Sequence, residues 1–120
     1  SIPIGIVTDL TAHIQLRKLT YFHLEDTFDA VVCSEEVGAD KPDSKNFQLA
    51  LKKLRIKDAS NVWVVGDNAQ TDILGGKNVG AITFQKVHKG VIIGKGAVEA
   101  DIIFNEFYEL KKLFDKTKIN

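Results

Sequence analysis

Short continuous apolar runs recur along this chain, each followed by a longer stretch whose apolar residues return every three or four positions. A continuous run reads as a strand covered on both faces and the stretch after it as a helix with one apolar face. Repetition of that unit builds a parallel α/β sheet. The runs are Ile4–Val7, Ala30–Cys33, Val62–Val65, Ala81–Phe84 and a short one at Ile102–Phe104. Helices are expected over about Ala12–Leu24, from a cap at Asp43 or Ser44 through Phe47, Ala50, Leu51 and Leu54, over about Ala69–Asn78 with Gly80 beyond, and around Phe107, Leu110 and Phe114. Glu35–Lys41, which ends at Pro42, and Gln85–Gly96 read as loops, and Lys116–Asn120 as a frayed tail.

At 120 residues and 13.3 kDa the chain has room for one domain. Sixteen Lys and Arg balance sixteen Asp and Glu, so no general positive field exists to hold nucleic acid or an anionic membrane. None of the apolar runs approaches the ~20 residues needed to cross a bilayer. Cys33 is the single cysteine, which excludes an internal disulfide and fits a reducing, cytoplasmic home for a soluble protein.

In an open parallel sheet, ligands bind beyond the carboxyl ends of the strands, where Thr8-Asp9, Ser34-Glu35 and Asp67-Asn68 fall, with Lys41 in the loop after the second run. A hydroxyl, a cation and several carboxylates on one edge suit phosphoryl chemistry: donors for the equatorial oxygens, a cation to offset charge, and carboxylates for Mg²⁺. Each signal alone has an ordinary reading. Asp67 can be a helix cap, Asp72 a solvated helix residue, Lys41 a surface lysine and Thr8 a strand-end hydroxyl. Their arrival on one edge in three successive units is what favours a site.

Thr8, then Ser34-Glu35-Glu36-Val37-Gly38-Ala39-Asp40-Lys41-Pro42-Asp43 with Phe47, then Val64-Val65-Gly66-Asp67-Asn68-Ala69-Gln70-Thr71-Asp72-Ile73-Leu74-Gly75-Gly76, resemble motifs two to four of the haloacid dehalogenase superfamily of phosphohydrolases. The resemblance spans nearly the whole chain. It implies a Rossmann-like doubly wound parallel sheet and a Mg²⁺-dependent phosphomonoester hydrolase working through an aspartyl-phosphate. It further implies that Thr8 and the Asp9 backbone N–H hold phosphoryl oxygens and that Lys41 offsets charge on the phosphoryl group and nucleophile. Asp67 would hold Mg²⁺, and Asp72 the ion or its waters. Many relatives have Asn where Asp9 stands. The substrate implied is a small phosphorylated metabolite, a nucleotide or sugar phosphate, since the motifs look most like the helical-cap subfamily of pyrimidine 5′-nucleotidases and acylneuraminate 9-phosphatases.

The superfamily's first motif, an Asp-x-Asp that ends the first strand and supplies nucleophile and general acid/base, occurs nowhere in these residues. No inserted cap fits between Thr8 and Lys41, where one helix, one strand and a loop use the available length. The superfamily's sheet order puts the first strand between those ending at Thr8 and Asp67, and its absence would leave two apolar edges unpaired. Residues 1–120 are therefore expected to be the carboxyl-terminal part of a single core domain, inactive alone, with cap, nucleophile and first strand upstream of Ser1. The competing readings are a catalytically incomplete binding or regulatory relative, a phosphoacceptor domain using Asp67, and a 2-haloacid dehalogenase.

His13, His23 and His88 show no metal-ligand spacing, and Lys52, Lys53 and Arg55 read as wet surface. Trp63 reads as core. Gly75 and Gly76 cost roughly 1 kcal/mol each within a helix, which points to close approach of that helix to neighbouring backbone.

Overall fold

The computed structural model describes residues 2–9, 21, 28–38, 40–41 and 43–117. Strands β1 (Gly5–Thr8) and β2 (Ala30–Cys33) pair in parallel, with Gly5 opposite Ala30 and Thr8 opposite Cys33. A second parallel sheet runs in the order β3 (Trp63–Gly66), β4 (Ile82–Lys86), β5 (Ile102–Phe104). The helices are α1 (Ser34–Val37), α2 (Ser44–Lys53), α3 (Leu74–Asn78) and α4 (Phe107–Thr117), with a π-helical turn at Ala69–Ile73 leading into α3. The class is the α/β one expected from the apolar runs. The helix read over 12–24 lies outside the described residues apart from Tyr21, as does the tail beyond Thr117.

Four of the boundaries that differ from the sequence reading do so for a visible local reason. The 35–41 segment opens with α1 instead of loop, because the Glu36 carboxylate accepts the Cys33 N–H at 3.2 Å and Gly38, at φ 78°, closes the turn onto the Ser34 carbonyl at 2.8 Å. Strand β3 begins one residue late and runs through Gly66, because Trp63–Gly66 pair in register with Ile82–Gln85. Strand β4 continues through Gln85 and Lys86, which pair with Gly66 on one side and with Ile103 and Phe104 on the other. The tail read from Lys116 is helical through Thr117.

The Asp43 carboxylate caps α2 by accepting the Lys45 N–H at 2.9 Å, and the helix turns Phe47 and Ala50 inward. Against it lies α3. A Cβ on Gly75 would collide with the Phe47 ring, and one on Gly76 would lie 2.9 Å from Thr83 Cγ2 and 3.0 Å from Val64 Cβ. These glycines thus serve a close approach, but to neighbouring side chains and not to neighbouring backbone. Trp63 is only partly covered, and it stacks 4.4 Å from Phe84 and edge-on to Phe114 at 5.9 Å, fastening α4 to the second sheet.

No ladder joins β1 to β3 among the described residues. Val65 in β3 is 41% exposed although it belongs to an apolar run. The accessible surface is 8036 Å², against about 6,400 Å² for a compact chain of this mass.

Two outcomes are expected. Gly75→Ala lowers stability by about 1–3 kcal/mol through overpacking against Phe47, opposite in sign to the gain that helix propensity alone would bring; urea denaturation reads the sign. Asp101 holds its carboxyl below the usual range, first because the Thr83 backbone N–H donates to it, at 2.8 Å, and then through the Thr83 hydroxyl and Lys77. A pKa depressed by folding gives stability that is present above the unfolded value, about pH 4, and lost as pH falls through the folded one. Asp101→Asn therefore flattens the acid limb of stability against pH, and an unchanged limb would contradict this assignment.

Candidate active site

The parallel pairing of β1 with β2 brings Thr8 beside Cys33 and sets the two strand ends together. Just beyond them, the Asp9 carbonyl accepts the Ser34 hydroxyl at 3.2 Å and the Asp9 carboxylate accepts the Lys41 backbone N–H at 3.0 Å. The Asp9 side chain thus ties the lysine loop to the end of β1. Lys41 then reaches across to the other sheet's strand end, where its ammonium donates to Asp72 Oδ1 at 2.5 Å with both side chains about 15% exposed.

The second carboxylate oxygen of Asp72 accepts the Asn68 N–H at 3.3 Å, and Asp72 N–H returns to the Asn68 carbonyl at 2.8 Å. Asn68, not Asp67, caps the following turn, accepting the N–H groups of Gln70 and Thr71 at 2.9 and 3.3 Å. The first turn is π-helical, a local form frequent at functional sites. Gly66 is needed because a Cβ there would collide with the Asp72 carboxylate. With the cap assigned to Asn68, Asp67 is left at the strand end with its Oδ2 3.0 Å from His88 Nε2, both side chains about half exposed.

The structure therefore links Asp9, Lys41 and Asp72 in one hydrogen-bonded chain, with Asp67 adjoining through Asn68 and Thr8 through Asp9. His88 is the member that sequence spacing passed over; it stands 21 residues from Asp67, and only the return of the loop after β4 brings them together. Lys53 is also more than wet surface, donating to the Val31 carbonyl at 2.9 Å and to Glu36 at 3.0 Å. That contact holds the Glu36 carboxyl below its usual range. Burial, with Glu36 and Glu35 nearby, pushes the pKa of the Cys33 thiol up.

Among the described residues no group of three or more His, Cys, Asp and Glu side chains is gathered for a metal. Mg²⁺ is usually held by one or two carboxylates together with phosphate oxygens and water, so the Asp67–Asp72 pair fits it by donor chemistry. A cavity of about 640 Å³ opens beside Asp67, between the 67–70 turn and the loop that carries His88.

The family model of haloacid dehalogenase-like hydrolases matches residues 1–85. The chain belongs to that family. Over 80 residues this haloacid dehalogenase-like chain is 46% identical to the pyrimidine 5′-nucleotidase YjjG of Escherichia coli (strain K12), covering 67% of itself and 36% of the relative. Over 82 residues it is 44% identical to the ribulose-1,5-bisphosphate 5-phosphatase of Halopiger xanaduensis, covering 68% of itself and 34% of that protein. The crystal structure of a HAD phosphatase from Thermococcus onnurineus superposes with a TM-score of 0.81 at 31% identity, over 93% of this chain and 50% of that one. No helix among the described residues is long and apolar enough to cross a membrane.

Removing Asp72 strands a largely desolvated ammonium. Asp72→Leu is expected to lower stability by about 3 kcal/mol, and addition of Lys41→Met to it to recover most of that loss. Additive effects in the double-mutant cycle would show that the pair is not coupled.

Proposed function

We propose that this chain belongs to a Mg²⁺-dependent phosphomonoester hydrolase acting on a small phosphorylated metabolite. The observation that carries the reading is the Lys41 ammonium, held at the strand ends by Asp72 and by the Asp9 grip on its backbone. A fixed, poorly solvated cation among carboxylates is suited to the charge that develops on a transferring phosphoryl group, and it acts there without proton transfer. The relatives named as a nucleotidase and a sugar bisphosphate phosphatase support a nucleotide or sugar phosphate substrate.

In this reading residues 1–120 form the carboxyl-terminal part of the core, and an upstream segment supplies the Asp-x-Asp strand and a cap. Among the described residues one edge of β1 and one edge of β3 carry no strand partner, which supports that placement, since one further parallel strand between them would join the two sheets. The upstream carboxylate attacks phosphorus in line while the bond to the leaving oxygen breaks. Its neighbouring Asp protonates that oxygen, and water then hydrolyses the acyl phosphate to free phosphate. Mg²⁺, when bound, supplies charge neutralisation at the phosphoryl oxygens. Asp67 would hold that ion. Asp72 orients Lys41 and would reach the ion's waters, while Thr8 and the Asp9 N–H would position phosphoryl oxygens.

The test is phosphate release by the full-length protein from nucleoside monophosphates and sugar phosphates, with and without Mg²⁺. Lys41→Ala is expected to cut turnover about a hundredfold or more. Near-normal turnover by that variant would remove Lys41 from the mechanism, and turnover unaffected by chelation would remove the metal.

A further inference from the structure

Gln85 is a buried polar side chain that the reaction, as described, does not use. It is fully inaccessible, and its amide bonds only to main chain: Nε2 donates to the Asp67 carbonyl at 3.0 Å and to the Ile92 carbonyl at 2.9 Å, while Oε1 accepts the Gly94 N–H at 3.1 Å. Both donors and one acceptor position of the amide are engaged, so its orientation is set by its partners. Gly66 is the last residue of β3 in register with β4, opposite Gln85 itself. Asp67 therefore lies one step past the ladder, where no strand neighbour meets its carbonyl, and the Gln85 amide takes the neighbour's place.

The same amide fastens the returning loop. A Cβ on Gly94 would collide with the Val98 carbonyl and come within 2.7 Å of Ala69 Cβ, so the loop passes directly against the turn that follows Asp67. From that loop His88 reaches the Asp67 carboxylate. Asp67 is thus held at its carbonyl by Gln85 and at its carboxylate by a loop that Gln85 anchors.

We propose that Gln85 is a positioning residue for the reaction, setting the direction of the Asp67 carboxylate by holding its backbone and the 92–94 loop in one frame. This rests on the reading of Asp67 as the metal-holding carboxylate. Partners that orient a metal ligand from behind commonly change metal affinity 10–100-fold when removed. A side chain that serves folding alone would change thermal stability and leave the affinity of the folded protein as it was.

The experiment uses the full-length protein with Mn²⁺ as the probe, its dissociation constant read by paramagnetic resonance without substrate, at temperatures where circular dichroism shows each variant folded. Gln85→Met keeps the length and loses all three bonds; Gln85→Glu keeps the shape but turns a carboxylate toward two carbonyls. Both are expected to weaken Mn²⁺ about tenfold or more, and to raise the Mg²⁺ concentration for half-maximal phosphate release while KM at saturating metal stays within about twofold. Folded variants that bind Mn²⁺ like the wild type overturn the proposal. Should neither variant fold, a Mg²⁺ titration of the wild-type protein decides: the Gln85 side-chain amide resonances are expected to shift with occupancy, and unmoved resonances overturn it. Asp67→Asn separates the two readings. Mn²⁺ affinity lost at Asp67 but unchanged at Gln85 sinks this proposal alone, and wild-type affinity in Asp67→Asn sinks the metal-site reading and this inference with it.

Discussion

The ion pair between Lys41 and Asp72 is the contact on which the arrangement of the strand ends turns. It joins two segments 31 residues apart, one following β2 and one following β3, across a place where no backbone ladder connects the sheets among the described residues. A pair this far out of water holds only if the remaining hydrogen-bonding capacity of its members is met. On the carboxylate side it is met in part, since the Asn68 N–H takes the other oxygen of Asp72, while Asp9 holds the backbone of Lys41 and so fixes where its side chain starts.

Glycines let those segments come close enough. Gly66 admits the Asp72 carboxylate against the end of β3, and Gly75 and Gly76 bring α3 onto Phe47, Thr83 and Val64. Without the first, Asp72 would be pushed from its place beside Lys41; without the others, the helix that follows the Asp72 turn would stand off from α2. Packing and electrostatics in this protein are therefore one problem at the end of β3, because a side chain added at Gly66 would displace the charge that orients the lysine.

On the far side of the site the controlling group is Gln85, and the two flanks differ in kind. Lys41 is held by a charge pair between side chains, whereas Asp67 is held through its main chain by a neutral amide and through its carboxylate by His88. A neutral amide contributes direction without adding charge beside the Asp67 carboxylate.

Much of this was legible in one dimension. The continuous runs located β2 and β5 to the residue and β1, β3 and β4 to within one or two, because a strand covered on both faces must be apolar throughout. Thr8, Lys41, Asp67 and Asp72 could be picked out because the end of a parallel strand is where a sheet exposes its ligand-binding edge. Asp9, Gln85 and His88 could not be given their parts that way. Their partners lie 32, 18 and 21 residues away, and such bonds depend on how loops return, which leaves no periodic trace in composition. Sequence alone determined the α/β class and which residues follow the strand ends, since these follow from local patterning. Tertiary structure alone decided that Asn68 rather than Asp67 caps the turn, that Asp72 is the lysine's partner, and that Gln85 stands in for a missing strand neighbour. Buried polar groups must be satisfied by whatever the fold brings near, and only the folded chain settles what that is.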